Sequence, residues 1–212
     1  MIQRFVLVMM GVVLPTGGVA QSLAFGAVTG MSSTQLATPG NYFGRRTGFA
    51  LGGEVTLELG DRIALRAQAL VHEKGSSGSG LFNMRIRYLE TPILVTVSAM
   101  RRTARLRPHL SVGVAPAKEL ACGGTMERGY FEVPPRPPVP VPLDCSTERT
   151  DLWDVGVVGA GGIELRVARL RIGVELRYTK GTHNIASGYA PLGFPVKNSA
   201  TSLLVTTALG TP

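Results

Sequence analysis

Beyond its first twenty residues the sequence lacks any apolar run able to cross a bilayer as a helix, which takes about 20 residues. It also lacks stretches rich in Lys and Glu at helical spacing, so a helical fold, membrane-bound or soluble, is disfavoured from the start. Cysteine is scarce: Cys122 and Cys145 stand far apart, with no histidine near them at ligand spacing, so no metal centre and no cofactor is expected. Basic residues are not scarce, but they are not clustered. Single arginines sit in apolar surroundings, as in Leu65-Arg66-Ala67 and Leu176-Arg177-Tyr178, whereas a nucleic-acid footprint gathers them into patches.

What is present begins with a leader. Arg4 supplies a positive end, Phe5 to Leu14 a short apolar core, and Gly18-Val19-Ala20 a small-residue cleavage site before Gln21. Residues 1–20 are therefore expected to be a cleaved signal peptide, with residues 21–212 as one mature domain. The formal net charge is +8; Arg4 supplies one of these charges, leaving +7 on the mature chain. Export delivers Cys122 and Cys145 to an oxidising compartment, where a disulfide between them is expected.

The mature chain is written in two-residue alternations, the mark of strands with unlike faces. Trp153, Val155, Val157, Ile163 and Leu165 fall on one side of a strand, Asp154, Gly156, Glu164 and Arg166 on the other. Leu170 to Tyr178 repeats the pattern against Arg171, Gly173, Glu175 and Arg177. Applied throughout, this reading predicts eight strands, over 22–31, 48–59, 62–73, 82–98, 105–117, 151–166, 169–180 and 199–210. Their connections alternate in length. Gly60-Asp61, Met100–Ala104 and Val167-Ala168 are short, while 32–47, 74–81, 118–150 and 181–198 are longer. Such alternation is that of an antiparallel, up-and-down transmembrane β-barrel of an outer membrane, its short turns periplasmic.

Only helices and closed barrels satisfy their backbone polar groups within hydrocarbon. The apolar face is thus expected to meet lipid, and the charged face to fill a lumen that eight strands leave just wide enough for side chains. Glu54, Glu58, Glu90, Glu164 and Glu175 are expected to pair there with Arg66, Arg85, Arg87, Arg107, Arg171 and Arg177, plugging the barrel. Aromatic residues near strand ends (Phe49, Phe82, Tyr88, Trp153, Tyr178) fit a membrane-interface belt. The alternative is a soluble lipocalin-like carrier, with the apolar face turned into a core.

These residues resemble the PorT-like outer-membrane β-barrel family of small porin-family proteins. Tyr88-Leu89-Glu90-Thr91-Pro92-Ile93-Leu94 is similar to that family's YLEIPLLL strand. Asp154 to Glu164, Val174 to Tyr178 and Gly181 to Ile185 resemble its final hairpin. The resemblance covers nearly the whole mature chain and implies architecture; the family has no shared catalytic residues to carry over.

Of the local motifs, the 118–150 loop stands out, with Pro134 to Pro142 expected to be an extended polyproline stretch between the two cysteines. His109-Leu110-Ser111 matches the histidine–serine spacing of lipid A deacylases, but the apolar register of Leu110 and Val112 turns both side chains to the lumen. His72 and His183 are expected at solvated strand ends. Gly159-Ala160-Gly161-Gly162 lies inside a strand, and a dinucleotide turn must open a helix. The expected role is therefore non-enzymatic, structural or surface-interacting, with outer-membrane lipids, the barrel assembly machinery and an extracellular ligand at the loops as partners. A narrow solute channel and, behind it, a lipid-modifying enzyme are the alternatives.

Overall fold

The computed structural model describes residues 22–37, 44–78, 82–128, 137, 139–142, 152–184 and 196–210. The expected leader and Cys145 lie outside the described residues. The strands are β1 (Ser22–Ala37), β2 (Arg46–Glu58), β3 (Ile63–Gly78), β4 (Phe82–Glu90), β5 (Ile93–Ser98), β6 (Leu106–Arg128), β7 (Val139–Pro142), β8 (Trp153–Val167), β9 (Leu170–Gly181) and β10 (Lys197–Gly210). β4 and β5 are two halves of one stave, parted at Thr91-Pro92 and both lying between β3 and β6. Proline has no N–H to give the ladder, which accounts for the break. β7 only adds to the far end of β6. Eight staves remain, each antiparallel to the next, and β1 pairs with β10 from Ala24↔Gly210 to Ala37↔Lys197. The sheet closes on itself, which removes its edges.

Three staves run further than the alternation predicts. β1 continues to Ala37, β3 to Gly78 and β6 to Arg128, so residues 32–37 and 74–78 are strand rather than loop. Their Ser, Thr, Gly and charged residues read as loop, yet the register carries on unbroken through Ser33↔Thr201 and Lys74↔Ile86. The proline-rich stretch is corrected in part as well. Val139–Pro142 pairs antiparallel with Thr125–Arg128 as an outer strand, a position where proline's missing donor is tolerated.

The alternation settles which face is which. Phe25, Leu51, Leu110, Val112, Val157, Leu176 and Leu203 all expose more than half of their surface. On the opposite face Glu58, Glu90, Glu175 and Arg177 are at most 2% exposed. The molecule is apolar outside and charged inside, the reverse of a soluble barrel. This overturns the lipocalin-like alternative, because the alternating apolar face lies on the outer wall and not in the interior.

The β8–β9 turn is made by Ala168-Arg169, with Ala168 at φ 54°. A positive φ at the first central residue suits the right-handed twist of a hairpin but crowds an alanine Cβ. Ala168→Gly is expected to stabilise the barrel by up to about 1 kcal/mol, seen as a higher urea midpoint for loss of the folded gel band.

Candidate functional site: the charged lumen

Three polar clusters occupy the interior. At the short-turn end Glu58 on β2 accepts from three guanidinium groups with the same oxygen, Oε1: Arg107 at 3.3 Å, Arg166 at 2.5 Å and Arg171 at 2.7 Å. Those donors come from β6, β8 and β9, so one carboxylate ties together the far wall of the barrel. Glu164 joins the group, 2.5 Å from Arg166 and 3.6 Å from Arg107.

Midway up, Arg66 on β3 bridges Glu54 on β2 at 2.7 Å and Glu175 on β9 at 2.5 Å. Glu175 also receives Arg177 at 2.7 Å and lies 3.4 Å from His109 Nε2. Gln68 donates to Glu54 at 2.5 Å. Nearer the loops, Glu90 on β4 takes Lys74 at 2.5 Å and His72 Nδ1 at 3.1 Å. Beside it Asn198 on β10 donates to Asp154 at 2.8 Å and to the Tyr88 hydroxyl at 3.1 Å. Apolar patches lie between the clusters, one of Val28, Ala50, Leu70 and Leu204, another of Leu94, Ala115 and Val158.

Charges buried this deeply persist only when paired, since desolvation of a lone ion costs several kcal/mol. The pairing here is extensive, and it draws strands that are distant in sequence onto shared partners. A cavity of about 30 Å³ is left among Glu54, Glu58, Arg66, Arg107 and His109.

Of the residues expected in this network, Glu54, Glu58, Arg66, Glu90, Arg107, Arg171, Glu175 and Arg177 are buried in the lumen, and Glu164 is half-buried there. Arg85 and Arg87 are a correction. Strand residues share a face only at even spacing, so burial of Glu90 sends both arginines to the outer wall. There Arg85, 53% exposed in its side chain, pairs with Glu73 at 2.9 Å, and Arg46 approaches the same carboxylate at 3.5 Å. Tyr88 shares the parity of Glu90 and points inward, so it is no belt aromatic; Phe49, Trp153 and Tyr178 do face outward.

His72 is corrected too. It is 2% exposed because β3 continues past it, whereas His183 is exposed as expected. Lys74, Asp154 and Arg166 belong to the interior but were absent from the expected set; Lys74 read as loop, and Asp154 and Arg166 carried only their strand parity as a signal. Ser111 is buried, with its Oγ 2.8 Å from that of Thr96, and His109 turns to Glu175; neither reaches the lipid-facing wall. Cys122 lies on β6 opposite Ile86.

Comparison with known proteins agrees with this geometry. No curated protein matches the chain. Among solved structures, Neisserial surface protein A is similar at TM-score 0.50 and 8% identity, over 86% of this chain and 97% of that one. OprG of Pseudomonas aeruginosa follows at TM-score 0.47 and 14% identity, over 90% and 94%. Ail, the attachment invasion locus protein of Yersinia pestis, gives TM-score 0.44 and 11% identity, over 88% and 98%. The family model described as outer membrane protein beta-barrel domain matches residues 19–187. With an apolar wall outside, a closed antiparallel ring and that match across most of its length, the chain belongs to the outer membrane protein beta-barrel domain family and is an outer-membrane β-barrel protein.

Proposed function

We propose that this protein is a closed, non-enzymatic barrel of the PorT-like type, which holds its loop end outside the cell as a surface for interaction. The observation that carries this reading is the filled lumen. Buried pairs centred on Glu58, Arg66 and Glu90 cross the interior at three heights, and the cavity among Glu54, Glu58, Arg66, Arg107 and His109 holds about 30 Å³. Solute passage is then not the barrel's task, while β1, β3 and β6 run past the length needed to span, as a loop-end surface formed with the 32–47, 118–150 and 181–198 segments would require.

In this reading residues 1–20 are removed on export and the assembly machinery inserts residues 21–212. Outer-membrane lipids line the wall, and an extracellular ligand is met by the loops. A Cys122–Cys145 bridge would staple the long proline-rich segment into a lobe. Single-channel recording in planar bilayers tests the closed lumen. No conductance steps are expected from the wild-type protein; stable, reproducible steps would favour a narrow channel instead.

A further inference from the structure

The three short turns hold five arginines, Arg62, Arg101, Arg102, Arg105 and Arg169, against one carboxylate, Asp61. That end of an outer-membrane barrel faces the periplasm. A depression of about 880 Å³ opens there between the 102–105 turn, the β8–β9 turn and the end of β10. Arg102, Arg105, Arg166, Arg169 and Arg171 line it, with Asp61 as its acid.

The inner two of these arginines are fixed. Arg166 donates to Glu58, to Glu164 and to the Arg102 carbonyl, and Arg171 donates to Glu58. The outer two, Arg105 and Arg169, are exposed, and no ion pair is formed by either among the described residues. Their backbones are nevertheless held. The Arg105 carbonyl accepts from Arg166 N–H at 2.7 Å and that of Arg169 from Gly210 N–H at 3.0 Å. Two uncommitted guanidinium groups thus stand on ordered backbone at the rim of a cavity whose floor is already arginine. Planar forks of this kind suit the oxygens of a phosphate group.

Height in the membrane adds to this. Arg105 directly precedes Leu106, 53% exposed, and Arg169 lies between Val167, 58%, and Leu170, 39%, so both sit just beyond the last lipid-facing residues. We infer that the short-turn mouth is a phosphate-binding site, with Arg105 and Arg169 as the groups that meet the phosphate and Arg166 and Arg171 as the positive floor beneath it. The phosphate would come from a phospholipid headgroup of the adjoining leaflet or from a soluble phosphorylated solute.

Native mass spectrometry on the mature protein in a phosphate-free maltoside detergent distinguishes these, with phosphatidylglycerol and inorganic pyrophosphate as separate probes. The comparison protein is Arg105→Gln/Arg169→Gln, whose changes are confined to exposed side chains and whose folding is checked by its heat-dependent gel shift. Retention of phosphatidylglycerol that falls at least tenfold in the variant would assign the site to lipid. Pyrophosphate binding lost in the variant would assign it to a soluble phosphate. Binding of neither probe, or equal binding by the folded variant, overturns the inference.

Discussion

Glu58→Ala is expected to be the most damaging single change in the lumen. Among the described residues it removes the only carboxylate shared by Arg107, Arg166 and Arg171, and it leaves three buried or half-buried guanidinium groups facing one another, with Glu164 as the one carboxylate beside them. Breaking a buried pair by deleting one partner costs about 3–5 kcal/mol. Three donors depend on this carboxylate, so the upper part of that range is expected. The measurement is the urea midpoint for conversion of the compact, unboiled gel band to the extended one. Glu164→Ala, at a half-buried position, should move that midpoint much less. Equal shifts in the two variants would deny Glu58 its central place.

Val112→Arg is expected to have the second-largest effect, for a different reason. Val112 is 64% exposed, pairs across the sheet with Val95 and Gly159, and lies midway along the spanning part of β6. In a water-soluble protein such an exposed position would accept arginine at little cost. Facing hydrocarbon, it should cost about 2–4 kcal/mol, falling to about 0–1 kcal/mol near the interface. Leu152→Arg supplies the control. Leu152 is 54% exposed but precedes β8 at its loop-side end. Folding efficiency into lipid vesicles should therefore collapse for the first variant and hold for the second. Similar tolerance of both would mean that the apolar wall does not face lipid.

Much of this architecture is legible in the sequence. The period of two in β8 and β9 assigns Trp153, Val157, Ile172 and Leu176 to one face and Asp154, Arg171 and Glu175 to the other, and the structure keeps that division. Closure of the ring follows from the need to satisfy every backbone polar group within hydrocarbon. Two kinds of information were not legible. The first is where a strand stops, because Lys74-Gly75-Ser76 carries every composition mark of a loop while lying on a continuing ladder. Gly75 even has the φ of 146° and the close approach to the Met84 carbonyl that only glycine accommodates, so its role is in the strand.

The second is register within a charged stretch. Arg85, Arg87 and Glu90 read together as lumen charges, yet the odd spacing of both arginines from Glu90 puts them on the face opposite to it. Partners across the barrel are also hidden. Nothing in the sequence couples Arg66 to Glu175, which is 109 residues away, or Glu58 to Arg171, 113 residues away. Those pairs exist because closure brings β2 and β3 face to face with β9 across a narrow lumen.

The central claim is that the apolar face meets lipid, and Trp153 offers a direct probe of it. It is the only tryptophan, it is 58% exposed on the outer wall at the loop-side end of β8, and Lys118 Nζ sits 5.7 Å from its ring centre. Its fluorescence should be measured in vesicles of phospholipids brominated close to the headgroup, and separately with aqueous iodide. The account predicts strong quenching by the brominated lipid and weak quenching by iodide. Indole emission that ignores the lipid and is quenched by iodide would contradict it.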